Sequence, residues 1–325
     1  MKRRQFITLI AGAPFVARQA LAQPAVPVVG FLNPVSPDTY AFLAVAFREG
    51  LAKAGFVEGR NVRIEYRWGK GDYASLPAMA EELAALNVAA IAATGDIASA
   101  RAAQRATRTI PIVFTIGADP VRHGLVQSLN RPGGNTTGVH LFSSLLAGKR
   151  IELLSEFAPK TRRVALVMNP DNFTAAAEKE DGIAGARTLG REAIVVNARN
   201  PGEIEGALEN VLRASADSLI TASDPLILDR RGQILEFAQK HGLPVVGFVR
   251  QFAMGGALLS YGPSITWMYQ QAGLYIGEIL KGAKAAELPV MQPTDFDFVV
   301  NLKTAARLGL NAPPALLLRA DEVIE

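Results

Sequence analysis

Two stretches decide the fold: Ile91-Ala92-Ala93-Thr94-Gly95-Asp96 and Leu219-Ile220-Thr221-Ala222-Ser223-Asp224. Each is a short apolar run that ends in small polar residues and an Asp. Each is followed by a helical pattern, and then by a Pro-primed apolar run, Ile110-Pro111-Ile112-Val113 or Leu243-Pro244-Val245-Val246. Strand, polar turn, helix, strand is the repeating unit of a parallel sheet covered on both faces. Its appearance twice, more than a hundred residues apart, points to two such sheets.

Working outward, the same alternation fills the chain. Before the first stretch, Val28-Val29-Gly30-Phe31-Leu32 predicts a strand. A helix over 38–54 follows, with Asp38 as its N-cap and Gly55 as its stop. A strand at 61–67 and a helix at 73–86 come next, and the strands at 88–93 and 110–115 flank a helix opening at Asp96. Pro132-Gly133-Gly134-Asn135 marks a turn, and 137–142 reads as a crossover. A second series then runs helix 143–157, strand 163–168, helix 173–189, strand 193–197, helix 204–214, strand 218–221, helix 226–241 and strand 243–247. A helix over 264–280 and a strand over 296–301 close the chain. The expected fold is α/β, with two doubly wound parallel-sheet lobes joined by a multi-strand hinge. The division expected is lobe I from 26–140 and 262–293, and lobe II from 141–261 and 294–325.

Composition narrows the function. The chain has 325 residues, 49% hydrophobic and 20% charged, with no cysteine and a formal charge of +4. Lys2, Arg3, Arg4 and Arg18 lie in an N-terminal stretch without Asp or Glu, and without them the basic residues equal the 30 acidic ones. A near-neutral remainder does not support a nucleic-acid surface. Zero cysteine excludes disulfides, thiolate metal sites, a cysteine nucleophile and an N-terminal lipidated cysteine. The positive start, the short apolar run 6–16 and Ala20-Leu21-Ala22 have the layout of a signal peptide spanning 1–22, cleaved after Ala22. Arg3-Arg4-Gln5-Phe6-Ile7 suits the twin-arginine route, and the Sec route fits as well. A periplasmic location is expected.

No catalytic constellation emerges. His123, His140 and His241 form no metal-spaced pair, and neither a Gly-x-Ser-x-Gly elbow nor a phosphate loop occurs. An exported hydrolase would need a nucleophile and base that are absent, so no enzyme, metal or cofactor is expected. Binding is better served. At the predicted strand ends lie Asn33, Trp68, Thr94-Gly95-Asp96, Thr115 and Asp119 in the first unit. The second unit has Asn169, Asn172, Phe173, Ser223 and Asp224, and Tyr261 occupies a hinge-like position. Hydroxyls and helix N-termini suit a carboxylate, an Asp suits an ammonium, and an aromatic covers an apolar body. Each of these residues singly is equally at home as a helix cap or as packing.

Several segments together carry a family resemblance. Among them are Val29-Gly30-Phe31-Leu32, Gly55-Phe56-Val57-Glu58-Gly59-Arg60-Asn61, Ile64-Glu65-Tyr66-Arg67-Trp68 and Ile110-Pro111-Ile112-Val113-Phe114. Arg131-Pro132-Gly133-Gly134-Asn135-Thr136-Thr137-Gly138, Ser260-Tyr261-Gly262 and Asn301-Leu302-Lys303-Thr304-Ala305 continue the series. In this order the chain resembles the periplasmic ABC-transporter substrate-binding proteins of the tryptophan/tyrosine type. The resemblance implies a type I binding-protein fold with three crossovers, a small amino-acid-like ligand enclosed by lobe closure, and transient delivery to an inner-membrane ABC permease by a monomer. It places ligand contacts on Thr94, Thr115 and Asp119 from one lobe and on Asn169, Asn172, Ser223 and Asp224 from the other. The carboxylate would go to Thr94 and Thr115, and the ammonium to Asp224 or Asp119. Asp96 departs from the pattern by placing a carboxylate where many relatives are neutral and small. An exported ligand-sensing module for a signalling partner is the alternative reading.

Overall fold

A computed structural model describes residues 26–141, 143–294 and 296–325. The signal-like stretch 1–22 lies outside the described residues, as does Phe142 at the end of the expected crossover.

The first sheet is built by β1 (Val28–Asn33), β2 (Arg63–Trp68), β3 (Ala90–Ala93), β4 (Ile112–Ile116) and β5 (Thr136–His140), with α1 (Pro37–Lys53), α2 (Leu76–Ala85) and α3 (Ile97–Ala106) between them. Its strands are all parallel in the order β2-β1-β3-β4-β5. Every residue of β3, β4 and β5 is buried, as a sheet covered on both faces requires. The segment expected as a crossover is thus mostly the fifth strand. Gly138 allows it to lie against β4, because a Cβ there would stand 2.2 Å from the Phe114 carbonyl oxygen. The α1 helix starts at Pro37, and its N-cap lies two residues before the expected Asp38. Ser36 is its N-cap and accepts from the Asp38 N–H, and Pro37 occupies the first turn.

The second unit contains α4 (Ala147–Phe157), β6 (Arg163–Met168), α5 (Ala175–Thr188), β7 (Glu192–Asn197), α6 (Ile204–Arg213), β8 (Ser218–Thr221), α7 (Pro225–Asp229), α8 (Arg231–Lys240), β9 (Val245–Gly247), α9 (Arg250–Met254) and β10 (Leu259–Pro263). After α10 (Ile265–Leu280) come β11 (Phe296–Asn301), α11 (Leu302–Arg307), α12 (Pro314–Leu317) and β12 (Glu322–Ile324). The sheet order is β12-β11-β10-β9-β8-β6-β7. Only the β10–β11 pairing is antiparallel, so β11 and β12 at one edge run against the other five strands and depart from the expected all-parallel pattern. The helix expected over 226–241 is divided at Arg230 into α7 and α8.

The chain passes between the sheets three times. It leaves the first sheet after β5, returns after β10, and leaves again before β11. On its return α10 packs against α1 and over β3, β4 and β5. Glycines set this approach, since a Cβ at Gly50 would stand 1.9 Å from the Gln270 carbonyl oxygen and one at Gly273 would stand 2.1 Å from that of Phe47. The chain then runs along β5, where the Thr137 hydroxyl donates to the Leu288 carbonyl (2.7 Å) and the His140 N–H donates to that of Met291 (2.9 Å).

Among the described residues no helix is long and apolar enough to cross a membrane. No group of three or more acids and histidines among them is placed to hold a metal ion.

Candidate ligand-binding site

In each sheet the strand order reverses once, between β1 and β3 in the first and between β6 and β8 in the second. Crevices at the carboxyl ends of strands beside such reversals are where open α/β sheets bind ligands. The two decisive stretches end there. Asp96 caps α3, and its Oδ1 accepts from the Ala98 N–H at 2.7 Å. Asp224 caps α7, and its Oδ1 accepts from the N–H groups of Leu226 (2.7 Å) and Ile227 (3.2 Å).

The two caps meet across the cleft. Asn172 Nδ2 donates to Asp224 Oδ2 at 2.6 Å and to Asp96 Oδ2 at 3.3 Å. Its own oxygen is fixed by the N–H and hydroxyl of Thr174 at 2.8 and 2.7 Å. Among the described residues neither Asp has an ion-pair partner. Burial raises the Asp96 carboxyl to about 7, opposed by the Ala98 N–H and reinforced by the charge of Asp224. Burial likewise raises Asp224 to about 6 against the hydrogen bond from Asn172.

Beside this cluster lies a small chamber of about 50 Å³ between the lobes, partly open to solvent. Tyr40, Leu43, Ile116 and Leu141 wall it from the first lobe's side, with Met268 and Tyr269 of α10, while Leu228, Phe248 and Val249 face them. Gly95, Ser223 and Asp224 form its polar end. Ser143 Oγ also lines the chamber; it is buried and has no hydrogen-bond partner among the described residues. Gly95 has φ +91°, and a Cβ on it would come within 2.9 Å of the Pro34 ring. Glycine is therefore required both by the turn and by the space.

The lobes are closed on one another. Tyr40 donates its hydroxyl to the Pro225 carbonyl at 3.3 Å, and Thr39 donates to Asp229. Arg101 lies over the Phe173 ring at 4.6 Å, and His123 meets that ring edge-on.

The residues picked from sequence fall into three groups. Gly95, Ser223 and Asp224 form the chamber's polar end, while Asp96, Asn169, Asn172 and Phe173 line the adjoining outer cleft, with Asn172 bonded to Asp224. Asn33, Thr94 and Thr115 lie beneath and are committed to the scaffold. Asn33 Nδ2 donates to Thr94 Oγ1 and the Tyr269 hydroxyl, each at 2.9 Å, and the Thr94 hydroxyl donates to the Leu32 carbonyl at 3.1 Å. Thr115 Oγ1 accepts from the Gly95 N–H at 3.0 Å and so shapes the turn. Asp119, Trp68 and Tyr261 stand away from the chamber. Asp119 is exposed and accepts from the N–H groups of Val121 and Arg122 in its own turn. Trp68 stacks on Tyr66 and packs against Phe31, and Tyr261 packs on Phe296 and Phe298.

Sequence reasoning missed the aromatic walls. Tyr40 and Tyr269 read as core positions of α1 and α10, and Phe248 as a residue just past β9. It also missed the device that holds Ser223. Arg150 and Glu178 form a fully buried ion pair at 2.8 Å. Glu178 accepts from the Ser223 N–H (3.0 Å) and hydroxyl (2.8 Å), while Arg150 Nε donates to the Tyr261 carbonyl at 2.9 Å.

Residues 28–324 match the family described as ABC transporter substrate binding protein. The chain belongs to that family. A tyrosine-binding protein of Clostridioides difficile is 25% identical over 279 residues, which covers 85% of this chain and 80% of the relative. A conserved domain protein of Vibrio cholerae superposes with a TM-score of 0.83 at 26% identity, covering 92% of this chain and 99% of the other. A Streptococcus pneumoniae ABC domain in complex with L-Trp gives 0.82 at 24% identity with the same coverage, a likeness of fold. The ligand-free, open form of a Clostridium difficile substrate-binding protein gives 0.64. That lower score accompanies the open arrangement, whereas the lobes of this ABC transporter substrate-binding protein are closed.

Proposed function

We propose that this protein is the periplasmic receptor of an ABC importer for an amino-acid-like ligand with an aromatic or branched body, and that it does no chemistry of its own. The observation that carries this is the apolar chamber between the lobes that ends in Asp224, which Asn172 links to Asp96 at the facing strand-order reversal. Tyr40, Phe248 and Tyr269 would enclose the body, and Asp224 would take the ammonium. Ser143, with its unpaired hydroxyl, replaces Thr94 and Thr115 as the side-chain donor to the ligand's other end.

Ligand touching both lobes stabilises the closed state, and only that state would be read by the permease as a monomer presents both lobes to it. An N-terminal signal cleaved after Ala22 would deliver the protein there. Membership of a substrate-binding family favours transport over a signalling partner.

The test is a thermal-shift screen of mature protein, unfolded and refolded to strip carried ligand, against amino acids, aromatic acids, purines and sugars. A ligand at 100 times its Kd stabilises by about 2.7 kcal/mol. A shift with an aromatic or branched ammonium compound that is lost in Asp224→Ala supports the reading. A shift confined to sugars or to acids lacking an amine overturns it.

A further inference from the structure

The cleft holds more negative charge than one ammonium needs. Asp224 and Asp96 come from opposite lobes, each spends Oδ1 on its own helix, and each turns Oδ2 toward the same amide nitrogen of Asn172. The cations in the neighbourhood make contacts of their own, although the charge of Arg101 also acts on Asp96 and opposes its upward shift. Arg150 is paired with Glu178, Arg199 stands 3.5 Å from Asp171, and Arg101 lies over Phe173 and donates to the His123 carbonyl at 3.3 Å. Arg231 donates to the Leu228 carbonyl at 3.1 Å, and Asp229 is paired with Arg230 at 3.2 Å. The tyrosines facing the acids, Tyr40 and Tyr73, are buried phenols held neutral with raised pKa. Among the described residues no Lys or Arg lines the chamber, and in the outer cleft lined by Asp96 the one cation is Arg199. A ligand carboxylate entering it would meet the neutral Ser143 hydroxyl and no balancing cation.

Resting on the ammonium site proposed above, we propose that the cleft selects apolar ligands of net positive charge, such as an aromatic or branched amine or an amino-acid amide, over the corresponding zwitterionic amino acids, and that Asp96 sets the choice. One ammonium entering beside Asn172 Nδ2 would face both carboxylates. With both carboxylates ionised, a ligand of net charge +1 leaves one negative charge uncompensated, whereas a zwitterion leaves two in a low-dielectric site. The two tyrosine faces and Phe248 suit an aromatic cation's apolar body.

The experiment measures the Kd of the stripped protein at pH 8 for L-tryptophan, tryptophanamide and tryptamine, and for L-leucine and leucinamide. Wild type is expected to bind the amide or amine about tenfold or more tighter than its parent amino acid, a difference of about 1.4 kcal/mol. Asp96→Asn, which keeps a helix-capping side chain, is expected to bring the ratio near one while leaving the ligand-free melting cooperative. Asp96→Ser, a second capping variant, guards against a local defect and should behave alike. Tighter binding of the zwitterions by wild type, or a ratio unmoved in both variants, overturns the selectivity and leaves the receptor reading standing. Binding of neither class overturns both.

Discussion

Asn172 Nδ2 lies 2.6 Å from Asp224 Oδ2, and the same nitrogen reaches across the cleft to Asp96. One amide therefore ties a cap of the second lobe to a cap of the first. Hydrogen bonds to charged groups contribute about 1.5–3 kcal/mol. Asn172→Ala is expected to raise the Kd of whichever ligand the thermal screen identifies by about tenfold or more, as measured by calorimetry. An unchanged Kd would show that this bridge contributes nothing to closure.

The pH dependence of ligand-free stability follows from burial of the same carboxylates. Asp96 titrates near 7 in the folded chain and in the ordinary carboxylate range when unfolded. Between those values the native state holds a proton that the unfolded state lacks, so stability falls as pH rises through the window. Asp224, raised to about 6, acts in the same direction. His140, lowered by burial, acts oppositely below its ordinary value. Melting curves should therefore show wild type gaining stability from pH 8 to 6.5, with a smaller gain in Asp96→Asn. Equal slopes for the two proteins would refute this account.

Arg150 and Glu178 give a prediction about folding rather than affinity. Breaking a buried ion pair by removing one partner costs about 3–5 kcal/mol, because the survivor is left buried and uncompensated. Glu178→Gln should lower the unfolding free energy, read from denaturant titration, by that order. It should also weaken ligand binding, since Glu178 positions the Ser223 turn that precedes Asp224. A double change, Arg150→Met with Glu178→Leu, should recover much of the stability and little of the affinity. Loss of both in equal measure would contradict the positioning role.

The contact of α1 with α10 offers a purely steric test. Gly273→Ala sets a methyl group 2.1 Å from the Phe47 carbonyl oxygen, which cannot yield as a side-chain tip would. Overpacking of this kind costs about 1–3 kcal/mol. Gly206→Ala, with open space around it in α6, should stabilise slightly or be neutral and serves as the control. Similar melting temperatures for the two variants would argue against the close helix approach.

Much of the fold was legible because its strands are continuous apolar runs bounded by turn residues. The strands 163–168, 218–221 and 296–301 coincide with β6, β8 and β11. The boundaries that moved did so for local reasons. Pro37 suits a first helical turn and hands the cap to Ser36, and Arg230 interrupts a pattern that reads as one helix. Helices α9, α11 and α12 and strand β12 are too short for any periodicity to register. At the cleft, the polar residues just past the strands were legible, since that is where caps and ligand contacts both lie. Their division was not. Asn33 and Thr94 are spent on internal hydrogen bonds that only the fold reveals, and the aromatic walls come from helix faces whose spacing is that of ordinary core.

The return of α10 to the first sheet also fixes an order of events during synthesis. A ribosome that has delivered β5 has released every strand of that sheet, yet the helix that covers β3, β4 and β5 and supports α1 is still more than a hundred residues away. The Tyr269 hydroxyl that receives Asn33 arrives equally late. The second sheet is likewise waiting for β11 when α10 emerges. Neither half can be finished by its own early residues, so the nascent chain carries exposed apolar sheet faces until almost all of it has been made. Any export machinery that requires an unfolded cargo is given time by this topology, and any that requires a folded one must wait for the last turns of the chain.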